Sequence, residues 1–122
     1  MRLTSIAGLF LIVTSAFGFA ACNGDDDDDG EGQLPACPSA GTSLTYDNFG
    51  KQFFTDYCVS CHFEGTTVKG AEPYDTQSAI QAAAEDIYGR AGGTNTNMPQ
   101  SGAKPTSDER NKLAEWLSCG AK

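Results

Sequence analysis

The stretch Cys58-Val59-Ser60-Cys61-His62 constrains this chain more than any other part of it. Two thiols spaced on one helical turn can add to the two vinyl groups of a single porphyrin, and the next residue offers an imidazole to its iron. The Cys-x-x-Cys-His arrangement therefore points to covalent attachment of one haem c. Without the histidine, the pattern would be shared with dithiol redox sites and zinc sites. A dithiol site calls for a βαβ setting, which the sequence does not show. A zinc site would use Cys58, Cys61 and His62 and draw a fourth ligand from Cys37 or Cys119.

The compartment is read from the first residues. Arg2 is followed from Leu3 to Ala21 by an uncharged run of apolar and small residues that stops at Cys22. That is the layout of a secretory signal. Phe19-Ala20-Ala21-Cys22 resembles the bacterial lipoprotein signal, in which small residues precede a cysteine that is lipidated and becomes the mature N-terminus. Ordinary cleavage, or an uncleaved anchor just long enough to span a bilayer, are the other readings of the same run. All three place the rest of the chain outside the cytoplasm.

The expected organisation is a signal peptide over 1–21, an acidic tether over 22–36 and one domain over 37–122. The tether carries five consecutive aspartates, Asp25 to Asp29, and nothing apolar to bury from Asn23 to Gln33, so an extended spacer is expected. A formed calcium loop would need spaced ligands and a turn glycine, which this run lacks. The whole chain has a net charge of −8, but from Cys37 onward ten acids and seven bases leave −3. An acidic balance argues against a nucleic-acid partner.

Three helical segments organise the domain. Tyr46, Phe49, Phe53 and Tyr57 recur at spacings of three and four, predicting a helix over about 45–57. Gly50 interrupts that stripe and marks a place where another helix comes close. A second helix is predicted from an Asp75 N-cap through Ile80, Ala83, Ala84, Ile87 and Tyr88, ended by Gly89, Gly92 and Gly93. The third opens on the capping box Thr106-Ser107-Asp108-Glu109 behind Pro105 and places Leu113, Ala114, Trp116 and Leu117 on one face. No segment alternates like a strand. The expected fold is all-α, with loops over 63–74 and 94–104 long enough to wrap something.

Counting then narrows the iron ligands. His62 is the only histidine, so two histidines cannot meet at one iron within a single chain. Met1 leaves with the signal peptide, which makes Met98 the only methionine of the mature protein. It lies in the polar run Thr94 to Gln100. A methionine ordinarily fills a core gap, but this setting and its uniqueness assign Met98 as the distal ligand of His62.

With these residues in place the chain resembles a class I cytochrome c over roughly Tyr46 to Gly120. In that family a glycine and an aromatic residue stand eight and four positions before the first haem cysteine, as Gly50 and Phe54 do here. The resemblance implies that both pack against an aromatic residue of the last helix, a role for Trp116. It also implies a distal methionine followed by proline, as Met98 is by Pro99. A proline carbonyl should accept from the proximal histidine, with Pro73 as the candidate. Tyr74 and Tyr88 are the candidates for the haem propionates.

The implied fold is a small cytochrome c fold wrapped around one covalently bound haem c, with crossing terminal helices. That crossing implies a Cys37–Cys119 disulfide, the alternative being two free buried thiols. With both axial positions filled, the expected function is one-electron transfer, not enzymatic catalysis. The expected partners are redox proteins at a docking patch, and a membrane reached through the Cys22 lipid. A haem enzyme or gas or redox sensor with a displaceable sixth ligand, and a structural lipoprotein with its cysteines in disulfides, are the readings from other classes.

Overall fold

The segment leading into the cysteine motif begins at a reciprocal cap. Thr45 Oγ1 accepts from the Asn48 amide, and Asn48 Oδ1 accepts from the Thr45 amide. In the computed structural model, which describes residues 32–122, the chain then makes a π-helical turn over Tyr46–Gly50 and continues as α1, Lys51–Tyr57. The wide turn is visible in the Gly50 amide, which donates five residues back to the Thr45 carbonyl at 3.1 Å. The aromatic stripe of this helix is continuous, with ring centroids 5.4 Å apart for Phe49–Phe53 and 5.1 Å for Phe53–Tyr57.

The second predicted helix is present but divided, as α2, Gln77–Ala82, and α3, Ala84–Ala91. Its start also differs from expectation. The Asp75 carboxylate accepts from the Glu64 amide at 3.2 Å, and Thr76 caps α2 by accepting from the Ala79 amide. Gly89 does not end α3; it is buried inside it, beneath the backbone of Gly32, and the helix runs on to Gly92.

The last helix, α4, Ser107–Ser118, opens on the predicted Thr106–Glu109 capping box. The fold is all-α: four α-helices and no strand among the described residues. No described helix is long and apolar enough to cross a membrane. The signal peptide, Cys22 and the aspartate run lie outside the described residues.

The core forms around Trp116, where the last helix meets the segment over 46–57. Trp116 is fully buried, and a Cβ placed on Gly50 would lie 2.6 Å from its Cζ2 atom. Only glycine leaves the indole that room. Phe49 and Phe54 approach the same ring edge-on, at centroid distances of 6.0 and 6.3 Å. Ile80, Ile87, Leu113 and Leu117 complete the cluster, and Leu34, from the segment assigned to the tether, packs on its flank.

The ends of the domain are tied to this core. Cys37 and Cys119 are joined by a disulfide across 4.8 Å between Cα atoms. The Lys122 carbonyl accepts from the Tyr46 amide and from Trp116 Nε1, and Gln77 and Gln81 donate to the Ala121 carbonyl.

Candidate haem site

Helix α1 ends in the motif itself. The Cys58 and Val59 amides both donate to the Phe54 carbonyl, and the Cys61 and His62 amides both donate to the Cys58 carbonyl. The motif is thus a tight turn, with Cys58 partly buried, Cys61 exposed and neither in a disulfide. Burial pushes the Cys58 thiol up to about 12, while the nearby Arg110 cation pulls it down.

His62 is held on two sides. Its Nδ1 lies 2.7 Å from the Glu72 carbonyl oxygen, which can only accept, so Nδ1 carries the proton and the Nε2 lone pair is left for a metal. The acceptor is therefore not the expected Pro73 carbonyl but the one just before it. Pro73 closes the turn that returns Tyr74, whose amide donates to the His62 carbonyl at 2.9 Å. The Tyr74 ring stacks on the imidazole, 4.6 Å between centroids with planes 16° apart.

Cys58, Cys61, His62 and Met98 line one cavity of about 410 Å³. Both long loops reach it, one with Val68 to Ala71 and the other with Met98 to Ser101, and Phe53, Phe54, Ile87 and Ala91 form much of its apolar wall. Its size lies within the range of about 300 to 1,000 Å³ usual for small-molecule and cofactor sites. The residues fit the group that the motif implies: two thiols one helical turn apart, an imidazole with its outer nitrogen free, a thioether and an apolar wall. Gly50 and Trp116 stand behind this wall, and Phe54 belongs to both, packing edge-on against Tyr74 as well as Trp116.

A tetrahedral zinc site does not fit. The two candidates for its fourth ligand, Cys37 and Cys119, are bonded to each other.

The propionate candidates separate. Tyr74 lines the cavity, where its hydroxyl donates to Asp86 at 3.2 Å, and burial, with the Asp86 carboxylate, raises its pKa. Asp86 in turn pairs with Arg90 at 2.7 Å, so a tyrosine, a carboxylate and a cation stand together on the wall. Tyr88 packs against the backbone of Gly32 and Gly92 instead.

Three contributions were not read from the sequence: the Glu72 carbonyl, the Tyr57 hydroxyl and Arg110. Glu72 supplies the imidazole's acceptor, and a backbone carbonyl leaves no residue-type signal. Tyr57 donates to Glu109 at 3.0 Å, joining the motif helix to the start of α4. Arg110, 4% exposed, donates from one nitrogen to the carbonyls of Ala91, Asn95 and Met98. Arg110 shares the helical spacing of Leu113 and Leu117, which places it on the apolar face but does not say what it meets there.

Compared with protein-family models, with curated proteins and with solved structures, the chain matches none.

Proposed function

We propose that this protein is a mono-haem c-type cytochrome that carries single electrons outside the cytoplasm, anchored to a membrane through a lipid on Cys22. The observation that carries the reading is the meeting of Cys58, Cys61, His62 and Met98 on one largely apolar cavity. Bound there, haem c would supply an iron that exchanges one electron, and a thioether ligand favours its reduced state.

The chain's own residues account for the rest. Cys58 and Cys61 provide the covalent attachment, and His62, oriented by Glu72 and Tyr74, offers Nε2. Met98 offers a second, weaker donor from a loop tied to the end of α3 by its amide, which donates to the Arg90 carbonyl at 2.9 Å. With both donors engaged there is no open position for a substrate, so the protein acts as a carrier, not a catalyst, and its partners are redox proteins. An acidic surface suits a basic docking patch on such a partner.

The test is direct. Produced in cells that attach haem c, the protein should keep a haem-stained band on denaturing electrophoresis, and Cys58→Ala/Cys61→Ala should lose it. The oxidised protein should show the far-red absorption band of methionine on ferric iron, which Met98→Ala should abolish. An unstained wild-type band, or identical spectra for wild type and Met98→Ala, overturns the reading.

A further inference from the structure

The C-terminal helix contributes a side chain to the Met98 loop that serves neither the core nor solvent. Arg110 is buried, 4% exposed, and its Nη1 lies 2.8 Å from the Ala91 oxygen, 2.9 Å from that of Asn95 and 3.0 Å from that of Met98. Burying a guanidinium is costly unless its protons are met by acceptors. Here one nitrogen is shared among three carbonyls, one at the end of α3 and two in the loop that follows it.

The Ala91 carbonyl is at the C-terminal end of α3, where helix carbonyls lack intrahelical partners and a cation is favoured. A helix cap would need that contact alone. Reaching past it to Asn95 and to Met98 itself fixes the path of the chain between them. The backbone closes the same bracket, since the Gly93 amide donates to the Arg110 carbonyl at 2.9 Å. Asn95 holds the loop from the other side through its Nδ2, 3.0 Å from the Tyr88 carbonyl.

We propose that Arg110 is the positioning residue for Met98, fixing that residue's backbone through its carbonyl so that the thioether stays presented to the cavity. The inference rests on the reading of Met98 as an iron ligand. A thioether is a weak donor, so its hold on the iron depends on how little the loop must reorganise to keep it there. Removing Arg110 frees the loop and raises the fraction of molecules whose sixth position is open.

The experiment uses the haem-loaded protein and imidazole as a competing ligand for the ferric iron. Five proteins are compared: wild type, Arg110→Met, Arg110→Lys, Met98→Ala and Leu117→Val. The last loosens the core from the same helix without touching the loop carbonyls. Apparent imidazole affinity scales with the open fraction, so Arg110→Met should bind about tenfold more tightly than wild type or better, with a weakened far-red methionine band. Arg110→Lys should fall between them, and Leu117→Val should melt lower while keeping the wild-type affinity and band.

Equal affinities for Arg110→Met and Leu117→Val overturn the proposal and leave Arg110 a purely structural residue. If Arg110→Met does not yield folded holoprotein, Arg110→Lys decides. A rise of about threefold or more supports positioning, and an unchanged affinity with a lowered melting temperature overturns it. The Met98→Ala arm separates the two readings: if it binds imidazole no more tightly than wild type, Met98 is not the ligand and both fall together.

Discussion

At the scale of single residues, the site is governed by what each position cannot be. Gly50 cannot carry a side chain, because Trp116 occupies the place where a Cβ would stand. Gly50→Ala should cost about 1 to 3 kcal/mol through overpacking, read as a lower urea midpoint with an unchanged slope. The position was legible because a glycine interrupting an aromatic stripe has few other uses, whereas Trp116 as its partner was implied only by the family resemblance. The acceptor for His62 was not legible in the same way. The turn through Pro73 put it near the right place, but which carbonyl faces Nδ1 is set by the backbone path between the imidazole and Tyr74, and every residue carries a carbonyl. Arg110 was hidden for a different reason. An arginine on a helix is ordinarily solvated, and its spacing on the apolar face does not announce three carbonyls gathered from the end of α3 and the loop that follows it.

At the scale of elements, caps were more legible than continuity. Thr106 and Glu109 satisfy each other's backbone amides, and hydrogen bonds from Thr106, first through its backbone and then through its side chain, hold the Glu109 carboxyl below its usual pKa. The sign follows. The charged carboxylate is favoured in the folded state, so its contribution is present above the ordinary glutamate pKa and is lost as pH falls through the lowered folded value. Glu109→Gln should therefore be less stable than wild type in urea at pH 7, and the gap should close towards pH 3. A gap of the same size at both pH values would rule the carboxylate out as its cause. The cap of α2 is Thr76, one residue later than the expected Asp75, because that carboxylate is taken by the Glu64 amide, a contact from a loop that no local pattern encodes. The division at Ala83 is tertiary too. Alanine has the highest helix propensity, so the break comes from the two segments docking on different neighbours: α2 on the C-terminal residues through Gln77 and Gln81, and α3 on α4.

For the whole molecule, the two loops were legible by their length, and residues of both line the cavity. The disulfide brackets all of this, joining residues 82 apart. Chain entropy alone gives such a crosslink about 4.5 kcal/mol. Cys37→Ser/Cys119→Ser should lower the unfolding free energy by about that amount in urea and, on the proposed reading, leave the haem stain in place. Loss of the stain would mean that the bracket is needed for attachment itself. The pinned C-terminal residues have a consequence of another kind. Thr42 donates to Glu115 across 73 residues, and Trp116 must arrive before Gly50 has a partner, so the core face of the motif helix stays open until the last helix is available, although Tyr74 can reach His62 earlier. On the proposed haem-carrying reading, the late arrival of the last helix would leave the two thiols open to attachment before the core closes.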